Sequence, residues 1–253
     1  PTTIIWHGLP EPTAMNGSGL AADPVPAGGR LHHQFHLPDA GTFWYHPHID
    51  TDHQVDLGLY GPFVVEDPTE PAADRELIVV FDSWGEATVD DAHGLTNPED
   101  AVWTANGRVD PAYPATAGER IRVRMVNAAN TAYLDIGWPG LRQIAGDQGL
   151  DATNEVDRVL LAPGDRAEFE WLVAGSFDVT TLPYVAAGGS SWGDERRLFS
   201  VEAAGSATAP EPTPWPFPTE SVSPDPGRTD LTYVFAGDGT AEWLINGEAW
   251  PDI

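Results

Sequence analysis

Histidine is the residue type best placed to do chemistry in this sequence, because seven of its eight copies lie between His7 and His53. Imidazole is a frequent ligand for copper and zinc. The tightest group is His46-Pro47-His48. In an extended segment its two imidazoles lie on one face about 6.6 Å apart along the chain, which suits two adjacent metal ions with one ligand each. Pro47 cannot donate to a strand ladder, so we expect the pair at a strand edge or end.

A third candidate ligand is His7, which stands between the apolar run Ile4-Ile5-Trp6 and Gly8. An apolar run that gives way to glycine is typical of a strand end. A single histidine at such a position is more often structural than functional, so its interpretation depends on His46 and His48. The sequence therefore predicts a metal site built from His7, His46 and His48.

Four of the other histidines are predicted to be surface residues. His32 and His36 are four residues apart, which places them roughly 13 Å apart on a strand, too far to share a metal ion. His53 and His93 lie in polar stretches without a histidine partner. We therefore expect these four side chains to take no part in the metal site.

The strand-forming segments predict an all-β protein without a long amphipathic helix. Gly (26 residues) and Pro (24 residues) are scattered along the chain, as many short strands joined by tight turns require. Strand signals recur at short spacing throughout. They cover Arg30–Leu37, Gly41–His48, Leu59–Glu66, Glu76–Asp82, Arg120–Asn127, Arg158–Leu161 and Arg166–Val173.

Two of these strands differ in their patterning. Leu77–Phe81 is a continuous apolar run, which predicts a strand that is buried on both faces. Arg120–Val126 alternates arginine with apolar residues, which predicts a strand with one face in water.

Two proline-containing stretches divide the chain. Asp67–Asp74 separates two strand-rich blocks, and Ala203–Arg228 contains seven prolines and is predicted to be an extended strap without a core of its own. New strand signals at Asp230–Phe235 and Glu242–Gly247 predict the beginning of a further domain. We therefore expect domains at 1–70 and 71–204, a strap at 205–228, and the opening strands of a truncated third domain at 229–253.

Composition excludes several function classes. The net charge of −27, with arginine as the only basic residue type, repels nucleic acid and anionic lipid. Cysteine is absent, which excludes disulfides and thiol catalysis in this segment. No run approaches the roughly 20 apolar residues of a membrane span. The sequence begins at Pro1 instead of a methionine, so we expect the natural N-terminus to lie upstream.

Several motifs together resemble the multicopper oxidase family, which includes the laccases. Residues 2–9 (TTIIWHGL), 40–48 (AGTFWYHPH) and 58–62 (GLYGP) are similar to the first two copper motifs of the family. Residues 106–108 (NGR), 124–128 (RMVNA), 144–147 (IAGD) and 161–166 (LAPGDR) are similar to its middle domain, and 245–247 (ING) to the opening of its third domain.

The resemblance implies two tandem cupredoxin-like Greek-key β-sandwich domains plus the start of a third. It further implies a copper oxidoreductase that oxidises a small-molecule or metal-ion substrate, such as a phenol, and reduces dioxygen to water at a trinuclear copper cluster. His7, His46 and His48 would then be ligands of the paired type 3 coppers. The remaining ligands, including those of type 1 copper, belong to the family's third domain. We expect the chain to be inactive as an isolated segment.

Two positions depart from the family's pattern. The first motif is His-x-His-Gly in the family, but Ile5 stands where its first histidine, a type 2 copper ligand, is expected. Asn16 stands where the family often has an aspartate that assists proton delivery, and an amide does not titrate. Both departures predict weak type 2 copper binding and slow oxygen reduction, even in an intact parent protein.

The sequence also permits two functions other than copper oxidation. The chain could be a copper-depleted scaffold of this fold that acts by binding another protein, or the three histidines could hold structural zinc. The resemblance implies a secreted or periplasmic location and permits a homo-oligomer.

Overall fold

The computed structural model describes residues 1–18, 23–84, 102–130, 132–147, 149–150, 155–185, 191–192, 194–208 and 210–216, with strand residues 235–237, 243–245 and 248–249. Within these ranges the regular secondary structure is almost entirely β-strand, as the sequence predicts. The exceptions are a 3₁₀ turn at Thr13–Met15 and one six-residue α-helix, α1, at Thr51–Asp56. None of the described helices has the length and apolar character needed to cross a membrane.

The first sheet contains the histidine motifs. It has three antiparallel strands, β1 (Ile5–His7), β2 (Gly41–His46) and β3 (Gly61–Val65), in the order β1-β2-β3. The register places Ile5 opposite His46 and His7 opposite Trp44. Because directly opposed residues of an antiparallel pair share a face, Ile5, His7, Trp44 and His46 all project from the same face of this sheet.

The second, larger sheet has ten strands in the order β5-β4-β7-β11-β8-β12-β15-β6, with β9 and β10 paired to β8. Its strands are β4 (Arg75–Trp84), β5 (Val102–Ala105), β6 (Ala112–Thr116), β7 (Arg120–Asn127), β8 (Leu134–Gly146), β9 (Gly149–Leu150), β10 (Glu155–Leu161), β11 (Arg166–Leu172), β12 (Phe177–Leu182) and β15 (Arg196–Ala204). The minor strands are β13 (Tyr184–Val185), β14 (Ser191–Trp192), β16 (Phe235–Gly237), β17 (Trp243–Ile245) and β18 (Glu248–Ala249).

Strand β8 lets the large sheet fold over its own core. It is 13 residues long, and its first half pairs with β12 while its second half pairs with β11. The enclosed core is aromatic: the Trp138 ring centroid lies 5.4 Å from both Trp171 and Phe199 in edge-to-face arrangements. Edge-to-face contacts are a favoured geometry for aromatic pairs, so these rings stabilise the layered packing.

Most predicted strands are confirmed, but Arg30–Leu37 is not a strand. Residues 30–40 carry no strand or helix, and His32 and His36 are exposed there. Leu31 and Leu37 are also exposed, at 46% and 39%. Alternation alone does not make a strand, because a strand also needs a hydrogen-bonding partner and an apolar face to bury.

The predictions of burial for Leu77–Phe81 and Arg120–Val126 fare differently in the structure. Leu77, Val79, Val80 and Phe81 are all buried in β4, as predicted. The expected wet face of β7 is wrong, because Arg122 and Arg124 are buried instead. Arg124, which is 1% exposed, lies directly opposite Glu168 of β11. The charges on this face are paired between strands, so it can be buried without solvent.

A buried ion network joins the two sheets at this face. Glu168 accepts hydrogen bonds from Arg124 Nη1 at 2.7 Å, from Arg122 Nε at 3.0 Å and from Thr42 Oγ1 at 2.6 Å. Thr42 belongs to β2 of the first sheet, whereas the charged residues belong to the large sheet. The network therefore fixes the histidine-bearing strand against the large sheet.

Within the proline-containing strap predicted at 205–228, the described residues 210–216 lie against the same region. The Trp215 indole is 9% exposed, and its Nε1 donates to Glu170 Oε2 at 2.9 Å. The Arg122 guanidinium carbon lies 5.1 Å from the Trp215 ring centroid, within cation–π range. This segment is therefore anchored by a tryptophan, a contact that its composition does not indicate. The predicted domain bounds themselves stay predictions.

The buried carboxyl group of Asp82 makes the free energy of unfolding depend on pH. Its carboxylate is 1% exposed and accepts a 2.6 Å hydrogen bond from the Tyr60 hydroxyl. Burial, aided by the nearby charge of Asp56, raises the pKa of Asp82 to about 6. A raised pKa in the folded state means that ionisation opposes folding, so stability is lost as pH rises from about 4 to about 6. We expect the unfolding free energy of wild type, relative to Asp82→Asn, to fall across this range.

The control for this measurement is Asp110→Asn. Asp110 pairs with Arg197 at the surface, and that hydrogen bond lowers the pKa of Asp110. Its contribution therefore has the opposite sign, and wild type should gain stability relative to Asp110→Asn as pH rises. Urea denaturation between pH 3.5 and 7.5 measures both differences. Parallel curves for wild type and Asp82→Asn would contradict the assignment.

Candidate metal centre

The side chains of His7 and His46 meet on the shared face of β1 and β2. His7 Nδ1 lies 3.2 Å from His46 Nε2, and the two ring centroids are 5.4 Å apart. His46 Nδ1 lies 2.8 Å from the carbonyl oxygen of Pro47. A carbonyl only accepts, so this contact requires the proton to be on Nδ1. The lone pair of His46 is therefore on Nε2, the nitrogen that faces His7.

This geometry fits two ligands of one metal ion. Two imidazole nitrogens, each about 2.0–2.1 Å from an ion, are roughly 3.3 Å apart at a tetrahedral angle. The 3.2 Å separation between His7 Nδ1 and His46 Nε2 agrees with that requirement. The contact of His46 with Pro47 is the kind of outer hydrogen bond that orients metal-binding histidines.

His48 occupies a neighbouring position. Its ring centroid lies 6.4 Å from that of His46, and the side chain is exposed. Strand β2 ends at His46, and the backbone N–H of His48 donates to Thr3 Oγ1 at 3.2 Å. The strand-end position expected from Pro47 is thus observed. Across the residues that the structure describes, no three His, Cys, Asp or Glu side chains converge on one metal position.

The environment keeps the two closest histidines unprotonated. Burial lowers the pKa of His7 to about 4, and the positive charge of Arg166 adds to the effect. Burial also lowers the pKa of His46. Metals bind the neutral imidazole, so His7 and His46 are in the ligating form near neutral pH.

The Trp44 indole packs against the imidazoles of both His7 and His46. Its ring centroid lies 5.2 Å from that of His7 and 4.3 Å from that of His46, with interplanar angles of 29° and 32°. The indole is 5% exposed and packs against Val80 and Val126 of the large sheet. Trp44 therefore restricts both rings, a role that appears only when the strand register is known.

The large sheet approaches the site through Arg166, the first residue of β11. Its side chain donates from Nε to the Thr42 carbonyl oxygen at 3.2 Å and from Nη1 to the Gly164 carbonyl oxygen at 3.1 Å. A Cβ atom on Gly8 would lie 2.4 Å from Arg166 Nη2, and Gly8 has φ of +90°. The glycine after His7 is therefore required both by its backbone conformation and by the close approach of Arg166.

Ile5 lies within the site but supplies no ligand. It is the strand partner of His46 and is half-buried on the face that carries His7. Asn16, the second departure from the motif pattern, donates from Nδ2 to Glu11 Oε1 at 2.9 Å and accepts from the backbone N–H of Ser18. Both side chains thus have local structural roles.

The remaining histidines do not join the site. His32, His36 and His53 are exposed, as predicted, and His93 lies outside the described residues. His33 is half-buried, accepts a 3.2 Å hydrogen bond from the Trp6 indole and lies 3.0 Å from the Met15 carbonyl oxygen. It packs the outer side of β1, away from the face of His7.

Comparisons with known proteins identify similar sequences and structures. Residues 1–70 match the family model described as multicopper oxidase. The chain is 29% identical to the multicopper oxidase MmcO of Mycobacterium tuberculosis, over 99% of this chain and 59% of that protein. The crystal structure of a multi-copper oxidase from Pseudomonas thermotolerans matches with TM-score 0.75 and 27% identity, over 93% of this chain and 59% of that one. Lac15, from a marine microbial metagenome, matches with TM-score 0.68 and 32% identity, over 88% and 58% of the respective chains.

The chain thus spans about 59% of the length of MmcO and a similar share of the two solved structures. The matches confirm an all-β fold of cupredoxin-like sandwiches and identify copper as the cofactor, both as expected from the sequence. Residues 1–70 thus match the multicopper oxidase family model, and the whole chain is similar to multicopper oxidases in sequence and in fold.

Proposed function

We propose that this chain is part of a copper-dependent oxidoreductase, in which His7 and His46 bind one copper ion and His48 binds a second, adjacent one. The single observation that carries the proposal is the 3.2 Å approach of His7 Nδ1 and His46 Nε2. As in the type 3 pair that the motifs imply, further ligands would come from sequence other than this chain, which has no cysteine for a type 1 centre.

The chain's own residues prepare this site for the metal. Pro47 fixes the tautomer of His46, Trp44 restricts both rings, and burial keeps His7 and His46 neutral. Copper, when bound, would supply the electron transfer by which dioxygen is reduced to water while the substrate is oxidised. Neither imidazole carries a positive charge that must be lost before it binds the ion, and ligation through Nδ1 of His7 requires the tautomer with its proton on Nε2.

The substrate class follows from charge and family likeness. A net charge of −27 favours cationic over anionic substrates. Metal ions and neutral phenols both fit this description. We further propose that Ile5 and Asn16 weaken type 2 copper binding in the parent protein, and that the parent is secreted or periplasmic. A homo-oligomer remains a prediction.

Two alternatives are less well supported. A scaffold without copper chemistry would account for Ile5, but it gives no reason for the shared orientation of His7 and His46. Structural zinc sites have four closed ligands, whereas the described residues bring two imidazoles together and a third nearby.

The experiment that tests the proposal is a copper titration of the chain, in competition with a chelator, for wild type and His46→Ala. We expect the variant to bind copper at least about tenfold more weakly, because one of two convergent ligands is lost. The matched control is His53→Ala, which removes an exposed histidine of α1 and should leave the affinity unchanged. Equal affinities for His46→Ala and wild type would favour the scaffold instead.

A further inference from the structure

A turn of the large sheet leaves little room for a side chain beside the imidazole of His7. Gly164, two residues before β11, has φ of +87°, and a Cβ atom built on it would lie 3.1 Å from Cε1 and 3.5 Å from Nε2 of His7. It would also lie 3.9 Å from Cζ2 of Trp44. The backbone of Gly164 therefore approaches the Cε1–Nε2 edge of the ring, while Nδ1 faces His46.

The turn that carries Gly164 is itself held rigidly. The Gly164 N–H donates to the Asn127 carbonyl oxygen at 2.8 Å, and the Asn127 N–H donates to the Asp165 carbonyl oxygen at 3.0 Å. Within the turn, Asp165 Oδ2 accepts from the Ala162 N–H at 2.7 Å. Asn127 is fully buried. Hydrogen bonds made inside a buried setting are strong restraints, so the position of Gly164 follows that of the large sheet.

Arg166 ties this turn to the histidine-bearing strand. Its guanidinium donates both to the Gly164 carbonyl oxygen and to the Thr42 carbonyl oxygen of β2. The side chain is 3% exposed. One planar, forked cation thus fixes the distance between the turn and the strand that carries His46.

We propose that Gly164 is a positioning residue: the His7 ring occupies the space that a side chain at this position would fill, and the turn thereby keeps the imidazole in the orientation in which Nδ1 faces His46 Nε2. The large sheet then sets the geometry of a metal position whose ligands lie in the first sheet. The inference rests on the proposed function for its link to copper. It differs from the simpler explanation that Gly164 serves only a turn with positive φ.

A pair of glycine substitutions separates the two explanations. Gly164→Ala adds a methyl group against His7, whereas the control Gly107→Ala adds one at φ of +71° with no atom within 4 Å. Both impose comparable backbone strain. We expect Gly164→Ala to weaken copper affinity by about tenfold or more, the effect typical of lost outer-shell support. Gly107→Ala should bind copper as wild type does.

A second readout needs no metal. Long-range ¹H–¹⁵N correlation of the imidazoles in the metal-free chain reports the environment of His7 directly, with His7→Ala giving the assignment. We expect the His7 signals to shift in Gly164→Ala and to stay unchanged in Gly107→Ala. Should Gly164→Ala fail to fold by circular dichroism, Arg166→Lys keeps the charge, loses the fork, and should produce the same two changes.

The outcomes are distinguishable. If copper affinity and the His7 signals of Gly164→Ala equal those of Gly107→Ala, the positioning role is overturned while the copper site stands. If wild type and His46→Ala bind copper equally, the proposed function fails. The metal-free spectra still decide whether Gly164 positions His7 in that case.

Discussion

Replacing Glu168 with Gln is expected to lower the free energy of unfolding by about 3 kcal/mol, the largest stability effect that we predict for a single substitution. The Glu168 carboxylate is 1% exposed and pairs with Arg124 at 2.7 Å and with Arg122 at 2.5 Å. The amide removes the negative charge but not the two guanidinium groups. Their positive charges would then be buried with too little compensation, and that cost falls on the folded state.

The matched variant is a double substitution that removes the charges of both Glu168 and Arg124. Glu168→Met combined with Arg124→Met deletes the ion pair and leaves apolar groups of similar length. Replacing a buried pair by apolar residues is often neutral, whereas removing one partner is not. Urea denaturation should therefore show the double variant closer to wild type than Glu168→Gln. If Glu168→Gln unfolds at the wild-type midpoint, the network does not hold the two sheets together.

Replacing Ile5 with His is expected to tighten copper binding by about a hundredfold, at the upper end of the effects seen when support for a metal site changes. Ile5 lies opposite His46 on the face of His7, so an imidazole there would be directed at the same region. A direct ligand contributes at least as much as an outer hydrogen bond. Chelator competition measures the affinity, and electron paramagnetic resonance reports the nitrogen ligands of bound Cu(II).

The control for the expected gain in copper affinity is Ile4→His. Ile4 is also half-buried and precedes Ile5 directly, but successive side chains of an extended segment point to opposite faces. It adds an imidazole of equal basicity on the wrong side of β1, where His33 and Trp6 pack. We expect no gain in affinity from it. An equal gain in both variants would mean that Ile5 does not face the metal position.

Much of the fold could be predicted from local sequence patterns. Period-2 alternation and apolar runs gave correct strands over β2, β4, β7 and β11, because those patterns reflect which residues face a core. The failure at Arg30–Leu37 has a physical reason: the segment has the pattern but not the partner strand. A strand partner is a long-range property, and short-range periodicity does not report it.

The buried arginine face of β7 shows the same limit. Alternating charge predicts exposure unless an opposite charge covers it, and here Glu168 and Glu170 of β11 lie opposite Arg124 and Arg122. The alternation of acidic and apolar residues in Glu168-Phe169-Glu170 could have indicated this burial, because a strand with alternating acidic residues can pair with one that has alternating arginines. The register that brings them together depends on the whole sheet.

The histidines of the candidate site could be proposed from the sequence, but their surroundings could not. The spacing of His46 and His48 and the motif around His7 point to a metal without any structure. Trp44, Gly164 and Arg166 escape such reasoning, because none is a ligand and two of them come from a different sheet. Only the fold shows that they lie close to the imidazoles.

The most direct test of the central claim, that His7 and His46 share one metal ion, is an anomalous-difference map from crystals of the chain loaded with copper and measured at the copper edge. We expect a peak about 2.0–2.1 Å from both His7 Nδ1 and His46 Nε2. A copper peak at other histidines, with none between these two nitrogens, would contradict it.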